Sequence, residues 1–277
     1  MLLPFPMTFT EFSVALRTGR RIYGTLVAST SSRWVPLLAG LPIDFVFIDT
    51  EHIPIDRETL GWMCQAYGAA GLPPVVRIAA PDPIAACQAV DFGAAAVIAP
   101  YVESAAQVRD LVGAVKRRPI KGQKLAAELA GHTPFPPALE AYVQKHNAGR
   151  SVIVNIESAP ALAKLDEILA VPGLDAVLIG PHDLSCSLGF PEDYDHPAVE
   201  AAMLGIFRRA RAAGVGAGIH SWMSVDREVA WCAAGANFMI HSSDLTATRN
   251  MIATEINALR ARLGDDRRAD ENGAATV

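Results

Sequence analysis

The sequence predicts an α/β fold, a (β/α)8 TIM barrel, on three observations. Eight short β-rich segments recur at similar intervals, at 22–28, 45–49, 75–79, 96–100, 152–157, 176–180, 215–219 and 237–241. Most are apolar runs without alternation, the pattern of strands buried on both faces of a parallel sheet. Helical periodicity fills most of the intervals and supplies the crossovers that parallel strands need.

The first strand, 22–28, opens the series. The second, 45–49, ends in Asp49-Thr50-Glu51-His52, and helical periodicity follows at 56–70. Arg77 lies within the third strand, ahead of a helix at 82–92, and the fourth strand leads to a helix at 103–117. The rhythm then breaks. Residues 118–150 form a longer excursion, and an insertion of that length at the top of a strand reads as a functional loop or an interface element. The fifth strand ends at Glu157 and precedes a helix at 159–170. The sixth runs through Gly180-Pro181 to Asp183, and helices at 196–213 and 224–234 flank the seventh, which leads to His220. A long helix at 244–263 follows the eighth. Gly93-Ala94, Gly214-Val215 and Gly235-Ala236 each stand where a helix must stop and a strand begin. No linker composition divides the chain, so residues 1–264 read as a single domain. The charged stretch 265–277 has no large apolar residue before Val277 and reads as a disordered tail.

Half of the 277 residues are apolar (51%), enough for one large core. No run approaches the ~18 apolar residues of a membrane span, and the first six residues lack the basic region and cleavage site of an export signal. Cys64, Cys87, Cys186 and Cys232 are scattered, which argues against structural zinc or disulfides and for a reducing, cytoplasmic setting. A net charge of -5 gives no reason to expect a nucleic-acid partner.

In a barrel, function belongs to the face where the strands end. There the sequence collects Asp49, Glu51, His52, Arg77, Glu157, Asp183 and His220. Each such group must be paired or hydrated, so packing does not account for them. Glu157 and Asp183 end two consecutive strands. Two carboxylates neutralise a divalent cation such as Mg²⁺ or Mn²⁺ while leaving positions open for water or a chelating substrate. Capping of the helices that follow is the competing explanation for the same two acids.

Five motifs occur in order: Asp49-x-Glu51-His52, Val75-Val76-Arg77, Asp91-Phe92-Gly93-Ala94, Asn155-x-Glu157, and Gly180-Pro181-x-Asp183-Leu184-Ser185 followed by Gly189. On these, residues 10–263 resemble the HpcH/HpaI class II aldolases, metal-dependent pyruvate aldolases acting on 4-hydroxy-2-oxo acids. The resemblance implies a barrel assembled as a homohexamer, a trimer of dimers that exchange C-terminal helices, here 244–263. It implies that Glu157 and Asp183 hold Mg²⁺, Mn²⁺ or Co²⁺, with waters and the carboxylate and keto oxygen of pyruvate completing the shell. Cleaving the C3–C4 bond leaves an enolate, and a Lewis acid on the keto oxygen stabilises the developing charge. Arg77 corresponds to an arginine that hydrogen-bonds that oxygen; its alternative is an ion pair with Asp49 or Glu51. His52 corresponds to the base for the 4-hydroxyl proton, oriented by Asp91 from a neighbouring subunit. At a helix C-terminus an acid is otherwise slightly unfavourable. Asp49, Glu51 and Asn155 are expected around the ion, with the two acids holding its waters. The turn from Gly180 and Pro181 through His182 to Ser185 is expected to receive the substrate carboxylate, with Ser185 either cap or ligand. His182, His220, Trp222 and His241 are expected on the aldehyde side.

The chain departs from the family pattern at Lys121-Gly122-Gln123-Lys124-Leu125, where many members carry Gly-x-Arg-Gly, at Asn155, where glutamine is common, and at His182, which replaces a small residue. The first departure leaves the aldehyde open. Other readings compete. A Schiff-base aldolase needs a lysine at a strand end, and lysines 116, 121, 124, 145 and 164 all lie outside the strands. An acyl-CoA lyase of the citrate lyase β-subunit type shares the barrel and the metal acids, and thioester dependence separates it from an aldolase. A non-catalytic metabolite-binding barrel is the remaining possibility, and it has no use for a base such as His52.

Overall fold

A computed structural model describes residues 6–265; of the tail read at 265–277, all but Asp265 lies outside the described residues. The first helix, α1 (Phe9–Thr18), was not expected from the sequence. Thr8 caps it reciprocally with Glu11, and Gly19 ends it at φ 83°. Eight parallel strands then close on themselves in chain order: β1 (Ile22–Leu26), β2 (Phe45–Asp49), β3 (Pro74–Arg77), β4 (Ala96–Ala99), β5 (Ser151–Ile156), β6 (Ala176–Ile179), β7 (Gly216–Ser221) and β8 (Phe238–Ser243). The predicted (β/α)8 barrel is the fold. Between strands run α2 (Trp34–Ala39), α3 (Arg57–Ala69), α4 (Pro83–Phe92), α5 (Ala105–Lys116), α6 (Gly122–Leu129), α7 (Pro137–His146), α8 (Ala159–Ala163), α9 (Leu165–Leu169), α10 (Pro181–Ser187), α11 (Pro197–Ala212) and α12 (Val225–Ala234). The last helix, α13 (Asp244–Leu263), follows β8. Among the described residues no helix is long and apolar enough to cross a membrane.

The two-residue period of a strand sorts its side chains between faces. Val46, Ile48, Val76, Val154, Ile156, Val177 and Ile179 pack in one buried cluster with the helices. Phe45, Phe47, Val75, Ile98, Ile153, Leu178, Phe238 and Ile240 fill the barrel interior, together with Phe12 and Leu16 of α1. That helix is a plug for the end where the strands begin. Phe12 meets Phe45 and Phe238 edge-on at 5.5 and 6.0 Å, and those two rings stack at 4.8 Å. Glycine gives them room: a Cβ on Gly24 would stand 2.4 Å from the Phe45 ring. With apolar groups filling this end, the polar interior positions fall at the opposite end.

Residues 118–150 do not sit at the top of a strand, as the sequence suggested. They follow α5, contain α6 and α7, and enter β5 from its first residue, so they lie at the α1 end. Arg150 holds them there through the carbonyl oxygens of Gly93 and Ala94, just before β4. The departure at 121–125 is therefore remote from the mouth of its own chain. A cavity of about 260 Å³ at this end is walled by Arg17, Lys116 and Arg117. Buried Asp175 pairs with the first two, and Glu128 and Glu140 pair with Arg117. The helix expected at 159–170 is broken at Lys164, whose φ of -103° and ψ of 16° leave the helical region.

Candidate active site

Continuing the interior parity past Phe47, Val75, Ile153 and Leu178 brings Asp49, Arg77, Asn155 with Glu157, and Gly180 to the mouth. Arg77 is buried there. It donates Nε to Asp49 Oδ1 at 2.9 Å and Nη2 to Asp49 Oδ2 at 2.6 Å, and Nε lies 3.1 Å from Glu51 Oε2. Among the described residues its Nη1 makes no hydrogen bond within the protein. Asp49 also accepts the Glu51 N–H at 3.0 Å. Asp49 thus clamps the arginine with both of its oxygens. Burial pushes the Asp49 carboxyl up, but hydrogen bonding and charge from Arg77 outweigh this and hold it below the ordinary range.

Glu157 accepts the Tyr101 N–H on Oε1 at 2.6 Å and the Asn155 Nδ2 on Oε2 at 2.7 Å. Burial raises its pKa, and the charges of Asp183 and Glu51 add to this against the two donors. Asp183 stands exposed in the first turn of α10. The two acids converge across Gly180, where a Cβ would lie 3.0 Å from Glu157 Oε2 and 3.5 Å from Asp183 Oδ2. The missing side chain leaves a cradle between two carboxylate oxygens.

Exposed His52 places Nε2 3.7 Å from Glu51 Oε2, an oxygen that is buried and makes no hydrogen bond. His220 lies edge-on to Phe47 at 5.5 Å and to Trp222 at 5.8 Å, with Nε2 3.3 Å from the Ser242 carbonyl oxygen. Burial, with the Arg77 charge, pushes its pKa down to about 4, so the ring is neutral near pH 7. His182 and His241 are exposed and face Glu192 at 3.8 Å and Glu228 at 2.9 Å.

Two expected residues do not join the mouth of their own chain. Asp91, near the last residue of α4, lies at the α1 end and pairs with Arg118. Ser185 is fully buried, and its hydroxyl donates to the His182 carbonyl oxygen at 2.7 Å and accepts the Glu192 N–H at 3.1 Å. It ties down the turn beyond α10, because both of its hydrogen-bonding roles are taken there.

Tyr101 was missed. It follows β4 directly and takes a left-handed φ of 55°, which costs a non-glycine residue about 1 kcal/mol or more. Interaction with the Glu51 carboxylate, with burial and the charges of Glu157 and Asp183, raises the pKa of its phenol to about 12. Its signal in the sequence is an amphipathic aromatic at a strand end.

The sequence profile of the HpcH/HpaI aldolase/citrate lyase family matches residues 23–251, from β1 into α13. The chain belongs to that family. It is 33% identical over 268 residues to the 4-hydroxy-2-oxo-heptane-1,7-dioate aldolase of Salmonella arizonae, spanning 96% of this chain and 98% of that protein. It is 37% identical over 196 residues to the 2-dehydro-3,6-dideoxy-6-sulfogluconate aldolase of Pseudomonas putida, spanning 71% and 76%. The crystal structure of an HpcH/HpaI aldolase/citrate lyase family protein from Burkholderia cenocepacia matches with a TM-score of 0.78 at 27% identity, over 91% of this chain and 99% of that one. In this chain, the Gly180 cradle is the place where the two acids of the sequence motifs meet.

Proposed function

We propose that the mouth of this barrel is a divalent-metal site for aldol chemistry on 4-hydroxy-2-oxo acids, with pyruvate or a related 2-oxo acid on one side of the bond and an aldehyde on the other. The enzyme is an aldolase, a carbon–carbon lyase. The observation that carries the site assignment is the convergence of Glu157 Oε2 and Asp183 Oδ2 across Gly180. The donor set suits a hard cation: all oxygen, with Asp49, Glu51 and Glu157 sharing the single guanidinium of Arg77 and the charge of Asp183 added beside Glu157. Glu157 and Asp183 would hold Mg²⁺, Mn²⁺ or Co²⁺, which when bound supplies a Lewis acid for the keto oxygen of the 2-oxo acid.

The chain's own groups do the rest. Arg77, fixed by Asp49, offers Nη1 to that keto oxygen and keeps positive charge where the enolate develops. His52 takes the 4-hydroxyl proton in cleavage and returns it in condensation, with Glu51 beside it. Gly180 and Pro181 present no polar side chain there, which leaves room for the substrate carboxylate. Neutral His220, with Trp222 and His182, borders the aldehyde side. Asp91 would reach His52 only from a neighbouring subunit, and the apolar surface of α13 supports such an assembly. Leu245, Met251, Ile252, Ile256, Leu259 and Leu263 are all exposed on it, a row that an exchanged partner in a trimer of dimers would cover. Free cysteines suit a reducing cytoplasm.

The test is incubation with pyruvate, Mg²⁺ or Mn²⁺ and a panel of aldehydes, with products identified by mass. Glu157→Gln and Asp183→Asn are each expected to lower turnover about 10³-fold, the loss of several kcal/mol of Lewis-acid stabilisation. Full cleavage activity after EDTA treatment would overturn the metal assignment.

A further inference from the structure

We propose that the cavity at the α1 end of the barrel is a binding site for a small phosphate-bearing anion, separate from the mouth and independent of the aldolase reading. The cavity measures about 260 Å³, and its wall contains four cations with no acidic residue among its members. They are Arg17 of α1, Lys116 and Arg117 where α5 ends, and Arg150 just before β5. The acids that answer these charges stand outside the wall. Asp175 lies 2.5 Å from Lys116 Nζ and 3.8 Å from Arg17 Nη1, and Glu128 and Glu140 each lie 3.0 Å from Arg117. Among the described residues Arg150 has no acid within ion-pairing distance, so three carboxylates answer four cations and one positive charge is left over.

Unused donors accompany the unanswered charge. Arg150 spends Nη1 on the carbonyl oxygens of Gly93 and Ala94 and lays its guanidinium over the Phe9 ring at 5.1 Å. Among the described residues its Nε and Nη2 make no hydrogen bond within the protein. The Arg17 guanidinium makes none either, since 3.8 Å to Asp175 is too long for one. Ser13, buried in the same wall, adds a hydroxyl with no partner among the described residues. Burial pushes the Lys116 ammonium down against the charge of Asp175, and the charges of Arg17 and Arg117 add to this, as crowded cations do. Phosphate answers these needs together: it brings several acceptor oxygens for planar guanidinium forks and a charge of about -1.5 to -2. A carboxylate, with two oxygens and a single charge, fits less well. A phosphate group held there would tie α1, α5 and the segment entering β5 to one another.

The experiment is calorimetric titration of the full chain with inorganic phosphate and, separately, with glycerol 3-phosphate, at low salt and with EDTA present so that no metal gathers phosphate at the mouth. Wild-type protein is expected to bind at least one of the two with a Kd below about 1 mM, the tighter of them naming the source of the phosphate group. Arg17→Gln and Arg150→Gln are each expected to weaken that binding about tenfold or more, as for loss of one charge-assisted contact. Phosphate is also expected to raise the melting temperature of the wild type and not of Arg17→Gln. Arg17 is half exposed and anchors no hydrogen bond through its side chain, so its variant keeps the fold and decides the matter if Arg150→Gln does not fold. Absence of binding at about 10 mM of either probe, or an affinity unchanged in Arg17→Gln, would overturn the site; the second result would place the anion elsewhere, at the mouth included.

Discussion

Arg77 shows how the mouth stores positive charge without wasting it. The guanidinium is buried, and an unpaired buried charge is strongly unfavourable, so Asp49 engages it with two parallel hydrogen bonds along one edge and leaves Nη1 as the outward donor. Asp49→Ala is therefore expected to destabilise the fold by about 3 kcal/mol, measured by urea denaturation, because it strands the arginine. The same pair sets a pH dependence. Asp49 has its folded pKa below its ordinary 3.8, so its contribution is complete above about pH 4 and is lost as pH falls through the folded value. Wild-type melting temperature should drop across that acid range, and the Asp49→Ala variant should lose less of it; equal slopes would show that the pair carries no acid sensitivity. The identities of these two residues were legible in the sequence, since both stand on apolar strands where a charge has no packing purpose. Their mutual clamp was open in the sequence, where Arg77 had both a substrate oxygen and the acids as partners.

At the level of the element, strand periodicity and glycine together make the site. Eight continuous apolar segments marked the strands because a sheet covered on both faces needs apolar groups on both, and the interior parity then delivered each polar residue to one end. Gly180 is the element-scale counterpart: it ends β6, opens α10 and keeps the space between Glu157 and Asp183 clear. Gly180→Ala is expected to leave circular dichroism unchanged and weaken Mn²⁺ binding about tenfold, because its Cβ meets Glu157 Oε2 at 3.0 Å and a carboxylate displaced by a fraction of an ångström loses ligand geometry. Unchanged affinity would remove the cradle from the metal site. Helix α1 escaped notice although Phe12, Ala15 and Leu16 have helical spacing, because a repeat of strand and crossover has no place for a plug ahead of it. Residues 118–150 were assigned to the wrong end for a related reason: excess length between two strands was visible, but the crossover at α5 had already carried the chain back to where strands begin.

At the level of the whole molecule, the proposed site calls for a neighbouring subunit. His52 is exposed, Asp91 lies at the far end, and α13 projects a row of apolar side chains. Truncation after Thr248 retains Asp244, which accepts the N–H groups of Ala28 and Ser29 at 3.0 and 2.9 Å and so steadies the loop after β1. The truncated enzyme is expected to show a smaller mass by light scattering and at least tenfold lower aldol cleavage; a full-size, fully active truncated enzyme would sink the exchange of α13. The sequence by itself determined the barrel and the strand ends near which the polar residues gather, and it singled out the two acids proposed to hold a cation. Those follow from periodicity, a local property of the chain. Only the tertiary structure decided that Asp49 serves Arg77, that Ser185 serves its own turn, and that Tyr101 touches Glu157 from 56 positions away. The reason is closure: satisfying a buried charge depends on which strands become neighbours across the barrel, and periodicity along one strand carries no record of that.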